Sequence, residues 1–146
     1  MGRRPVAALA AVVLVAEAFG IVMLNWILGL AVQHQDMSLA GLDPDLMKTS
    51  TWANGVLIGI YLLVCAYFEG RCALTDKAPG RLPRIALISC AVVHAVIGAV
   101  TVGLVGWAAF ALMMVTFGLV VFTLISYGEP REQAPAQATE PEPEPA

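Results

Sequence analysis

Apolar residues run almost unbroken through four stretches of this chain, at about 6–32, 51–68, 85–101 and 107–127. A bilayer-crossing helix needs about 20 mostly apolar residues. The pattern therefore predicts an all-α membrane protein. Its fold is a four-helix transmembrane bundle over residues 1–128, followed by a disordered acidic, proline-rich C-terminal tail over 129–146. Glu17 and Asn25 are the interruptions in the first stretch. The last two stretches are separated by Val102-Gly103-Leu104-Val105-Gly106, short enough for a tight hairpin whose glycines permit the reversal.

Local signals punctuate the same pattern. Asp43-Pro44-Asp45 reads as a helix start, with Asp43 as N-cap, Pro44 in the first helical position and Asp45 near the positive helix end. The second helix is thus expected to begin at Pro44 and to enter the membrane near Trp52. Pro79-Gly80 marks a turn, Pro83 can open the third helix, and Gly128 with Pro130 ends the fourth.

Composition changes the picture from apolar helices to a lipid-embedded chain. Charged residues are 13% and hydrophobic residues 59%, against about 25% charged in a soluble domain. A soluble protein of this size could not hide that much apolar surface. The basic residues then orient it. Arg3, Arg4, Arg71, Lys77, Arg81, Arg84 and Arg131 fall on one side of the spans, and Lys48 falls on the other. The positive-inside rule makes the first side cytoplasmic, so both termini are expected in the cytoplasm and the chain in the inner (cytoplasmic) membrane. Ala16-Glu17-Ala18 resembles a signal-peptide cleavage triplet, but the apolar run continues to Val32, so an uncleaved helix is expected.

Cys65, Cys72 and Cys90 have no CxxC or metal-ligand spacing and read as small core residues. No metal or cofactor is expected, no nucleic-acid partner, and no phosphate loop, nucleophile elbow or HExxH motif is present. The tail, closing on Glu140-Pro-Glu-Pro-Glu-Pro-Ala146, has no apolar face with which to dock.

The candidate chemistry lies in the intramembrane polar residues. Glu17 sits about 18 Å along a helix counted from Pro5, near mid-membrane, where a carboxyl faces protein or water and marks function by default. His94 sits about 14 Å along from Ile85, at comparable depth from the same side. A buried ion pair, a neutral hydrogen bond, a proton relay and purely structural glue all remain open. Asn25, about 80° further round the helix than Glu17, and Asn54 are expected to form an outer polar layer of interhelical hydrogen bonds. Gly55 and Gly59 form a GxxxG packing motif. Ala91, Ala95, Ala99 and Gly103, and Ala16 with Gly20, offer further small-residue faces.

Two resemblances follow from these residues. His34-Gln-Asp-Met-Ser-Leu-Ala-Gly-Leu-Asp-Pro44 and Leu104-Val-Gly-Trp-Ala-Ala-Phe-Ala-Leu-Met-Met114 resemble small four-span integral membrane proteins of high-GC bacteria with no assigned function. Ala16-Glu17-Ala-Phe-Gly20 is similar to the first helix of small multidrug resistance transporters, which implies a proton- and substrate-binding role for Glu17. The longer outer loop, the tail and the missing third-helix Trp-Ser-Gly pattern depart from that family.

The expected function is that of a non-enzymatic accessory, assembly or interaction subunit, bound to the bilayer and to other membrane proteins or to itself as a homo-oligomer. The alternative is a small proton-coupled transporter or channel using Glu17 and His94. A membrane enzyme ranks third.

Overall fold

The structure is a computed structural model that describes residues 2–34 and 43–128. The expected tail and residues 35–42 lie outside the described residues. Four helices follow in order: α1 (Arg3–His34), α2 (Pro44–Thr75), α3 (Arg81–Leu104) and α4 (Trp107–Ser126). Each is long and apolar enough to cross a membrane. At about 1.5 Å per residue, α1 and α2 are about 48 Å long, well beyond a hydrocarbon core of about 30 Å. Their ends therefore project past the slab that α4 just spans.

α2 begins where the local signals put it. Asp43 caps it, its side chain accepting from the Asp45 N–H at 2.8 Å. It ends later than hydropathy suggests, continuing from Phe68 through Glu69-Gly-Arg-Cys to Thr75. The reason is that Glu69 and Cys72 turn inward while Arg71 stays exposed, so one face of the polar extension still packs on the bundle. Between α3 and α4 the reversal takes only Val105 and Gly106. The Thr101 carbonyl accepts from both of their N–H groups at 2.9 Å, and Gly106 has φ 117°, a conformation that requires glycine. Gly103, by contrast, is helical and exposed.

α1 packs most extensively along α2 and α3 along α4, so the bundle is two antiparallel hairpins laid side by side. Small residues set the close approaches. A Cβ on Gly55 would stand 2.5 Å from Asn25 Cβ, and one on Gly59 would stand 2.6 Å from Val22 Cγ2. Gly98 plays the same part between α3 and α4, where a Cβ would stand 2.6 Å from Met114 Cε. The other small-residue stripes differ from expectation. Ala99 and Gly103 are exposed, and so are Ala16 and Gly20. Steps of four residues advance about 400°, so a strict i+4 row drifts about 40° off its face at each step. The face that α3 buries is Leu87, Cys90, Ala91, His94 and Gly98, which alternates steps of three and four.

The ends are fastened differently. At one end Trp26 and Trp52 stack, with ring centroids 4.7 Å apart, and Trp52 Nε1 donates to the Trp26 carbonyl at 3.2 Å. At the other end, called the basic end here, Arg3 makes two hydrogen bonds to the Asp76 carboxylate, at 2.8 and 3.1 Å. Arg4 donates to the carbonyls of Ala73 and Leu74 that close α2, both at 3.0 Å, and Tyr127 donates to Asp76 at 3.2 Å. Asp76 is the left-handed C-cap of α2, with φ 55°, a conformation that short polar side chains tolerate. The Arg3 guanidinium beside it holds the Asp76 carboxyl below the usual carboxylate range.

Candidate functional site

Where the two hairpins meet, three side chains from three helices converge. Glu17 lies on α1 beside the buried stripe of Leu14 and Ala18, at the edge that turns toward α3 and α4. His94 lies on the buried face of α3, and Thr116 shares a buried row with Val120 and Thr123 on α4. Glu17 Oε2 is 2.9 Å from His94 Nε2, and the Thr116 hydroxyl donates to Glu17 Oε1 at 2.5 Å. The side chains of His94 and Glu17 are 5% and 11% exposed. Counted from Arg3 and Arg81 at the basic end, Glu17 and His94 lie about 21 and 20 Å in, so they share a depth near mid-membrane.

The protonation of this cluster follows from one further contact. His94 Nδ1 is 2.8 Å from the Cys90 carbonyl oxygen, which can only accept. Nδ1 must therefore carry a hydrogen. One more proton then lies between Nε2 and Oε2. It makes either imidazolium with carboxylate or neutral imidazole with carboxylic acid, and both forms satisfy the 2.9 Å contact. Removing it leaves a carboxylate oxygen facing an imidazole lone pair with no donor between them. In the tautomer that the Cys90 carbonyl selects, the pair therefore holds one proton at this contact.

A cavity of about 320 Å³ opens beside it, walled by Glu17, His94 and apolar side chains that include Ile21, Ile58, Leu112 and Met113. Tyr61 also reaches this wall, its hydroxyl 2.6 Å from Ser89 Oγ. Among the described residues, no three His, Cys, Asp or Glu side chains group so as to hold a metal ion.

The other candidates fall elsewhere. Asn25 is buried, but its amide donates back to Ile21 of its own helix at 2.9 Å, so the expected interhelical bond is not formed. Asn54 is exposed, because the neighbouring Gly55 takes the inward position. Gly55 and Gly59 line the α1–α2 contact, and His34 sits exposed at the far end of α1. Thr116 and Glu69 are further polar residues buried in the bundle. Thr116 carried a signal, since Thr116 and Thr123 recur at seven residues in an otherwise apolar helix. Glu69, the residue after the expected second span, is 0% exposed and neither carboxylate oxygen has a hydrogen-bond partner.

The fold and the site define a multi-pass helical membrane protein with an acid–imidazole–hydroxyl cluster at the junction of two hairpins. No known protein family, curated protein or solved structure matches the chain.

Proposed function

We propose that the protein is a small proton-coupled transporter in which Glu17 and His94 exchange one proton for one lipophilic cation. The observation that carries this reading is the one-proton cluster forming part of the wall of an otherwise apolar cavity. An empty cluster bears one negative charge in a low-dielectric wall, which favours a replacement cation strongly. Apolar side chains suit a ligand whose remainder is hydrophobic. Thr116 keeps Glu17 Oε1 oriented in both states by donating to it. The likeness of Ala16-Glu17-Ala-Phe-Gly20 to small multidrug resistance transporters points the same way. In this reading the basic end faces the cytoplasm and the chain sits in the inner membrane, because seven of its eight Lys and Arg residues lie on that side.

The test is proton release on ligand binding. Purified protein in weakly buffered detergent is titrated with a lipophilic cation such as tetraphenylphosphonium. Release of about one proton per bound cation is expected, and its loss in Glu17→Gln. Binding without release, or unchanged release in Glu17→Gln, refutes the reading.

A second reading is favoured by a different observation. Every polar atom of the cluster already has a partner inside the chain, which suits interhelical glue in an accessory or assembly subunit. It is distinguished by the variant lacking both Glu17 and His94: glue predicts that its association with other membrane proteins or with itself is kept and that the wild type releases no proton on cation binding, whereas a transport site predicts release in the wild type and its loss in this variant.

A further inference from the structure

Glu69 is the exception among the buried polar side chains of the described residues. Asn25, His94, Thr116 and Thr123 are all hydrogen bonded. Glu69 is 0% exposed, and both of its oxygens lack a partner. Thr123 of α4 is placed close enough to donate to it, but that hydroxyl already donates to the Leu119 carbonyl at 3.0 Å. The titratable groups around it are Cys65 and Cys72 on α2 and Cys90 on α3. On α1 the buried side chains at this level are Ala7 and Ala10, which carry no charge. Among the described residues no cation stands against it. Arg71 is exposed, and Arg3 and Arg4 are engaged at Asp76 and at the last carbonyls of α2. An ionised carboxylate is not held in such surroundings, whereas a neutral acid is.

Position gives this acid a use. Glu69 lies about 10 Å in from Asp76 and about 10 Å short of the level of Glu17. A cleft of about 350 Å³ enters from the basic end between Arg71, Lys77 and Pro83, and its walls include Phe68 and Cys72, one residue before Glu69 and about one turn after it. On the inner side the free thiols of Cys65 and Cys90 fill the gap, and Cys90 Sγ is 3.6 Å from His94 Nδ1.

We propose that Glu69 is a second proton-binding site of the bundle, loaded from the cleft at the basic end and lying in line with the Glu17–His94 cluster. Uptake adds one proton to a carboxylate oxygen and neutralises it; release returns that proton to water in the cleft. Its place in a transport cycle rests on the reading above, but its proton binding does not.

The experiment is difference infrared spectroscopy of the full chain in proteoliposomes, reading the carbonyl stretch of protonated carboxylic acids. In Glu17→Gln, Glu69 is the remaining buried carboxyl among the described residues. A protonated-acid band is expected there at neutral pH. It should shift on transfer to D2O, fade at alkaline pH, and vanish in Glu17→Gln/Glu69→Gln. Should that double variant not fold, Glu17→Gln/Glu69→Asp makes the assignment by displacing the band. Absence of the band in Glu17→Gln overturns the proposal. So does a band that neither exchanges in D2O nor titrates over the range in which the protein stays folded, since that describes a sealed structural acid. Failure of cation-coupled proton release would sink the transporter reading while leaving this band in place, so the two outcomes are separable.

Discussion

Removing Glu17 and His94 singly and together measures whether they depend on each other. In Glu17→Leu, His94 keeps the Cys90 carbonyl at Nδ1 and loses its partner at Nε2. Thr116 is hardly affected, because its hydroxyl already reaches the Leu112 carbonyl at 3.2 Å. In His94→Leu, Glu17 keeps the Thr116 donor and loses its partner at Oε2. Each single change therefore orphans one buried polar atom, at about 1–3 kcal/mol. The pair is largely but not wholly excluded from solvent, with side-chain exposures of 5% and 11%, so the middle of that range is expected. The double variant orphans neither atom and replaces both groups by apolar ones, which buried pairs often tolerate.

Hydrogen-bond couplings inside membranes average about 0.6 kcal/mol and reach about 1.7. This contact carries a shared proton, which places the expected coupling at the upper end, about 1.5 kcal/mol or more. The assay is reversible unfolding of the four proteins in mixed micelles at neutral pH, with the double variant predicted within about 0.5 kcal/mol of either single one. Additivity within about 0.5 kcal/mol would mean that the two residues do not interact, and both readings of the cluster would lose their basis.

Further predictions bear on packing, charge and orientation. Gly55→Ala should lower stability by about 1–3 kcal/mol, because the new methyl meets Asn25 Cβ at 2.5 Å. Gly20→Ala, with nothing within 4 Å, should be neutral or stabilising by about 0.5–1 kcal/mol; thermal unfolding of the pair reads the contrast, and equal effects would discredit the α1–α2 contact. The Asp76 carboxyl is held below its unfolded range by Arg3, so its contribution is present above about pH 4 and is lost as pH falls through the lower folded value. Hydrogen exchange in the first turn of α1 should accelerate on acidification below about pH 4 in the wild type, and Asp76→Asn should exchange fast already at neutral pH without an acid step. A cysteine at Ser38 should react with an impermeant reagent in intact cells, and one at Ala134 should not; the reverse would invert the orientation.

The four helices were legible because lipid imposes a simple rule: about 20 apolar residues for each crossing. The helix start at Asp43-Pro44 and the reversal at Gly106 were legible because each rests on a backbone requirement that few residues meet. Helix faces were harder to read. In a soluble helix the apolar stripe marks the inside, but here lipid-facing positions such as Phe19, Val92 and Ile125 are as apolar as the core. Small size alone then had to mark the interior, and with so much Ala and Gly it also picked Ala16, Gly20, Ala99 and Gly103, which are exposed, beside Ala91, which is buried. What did point inward was polarity, through Glu17 and His94, because a polar side chain has a reason to avoid lipid and an apolar one has none.

Glu69 escaped the sequence reading because it stands at the edge of a hydropathy window, where a carboxyl is ordinarily taken to have reached water. The continued helix and its inward face decide otherwise, and neither is visible in an average over residue types. Its burial also changes how the cluster is read. Were Glu17 and His94 glue alone, one satisfied contact would complete the junction of the hairpins, and nothing would call for a second carboxyl a few turns away with both oxygens idle. A buried acid without a hydrogen-bond partner costs stability. In the proposed reading Glu69 and the Glu17–His94 pair are two proton-binding sites at successive depths, the first near a cleft at the basic end and the second on a cavity, which a chain that moves protons uses and a purely adhesive bundle does not.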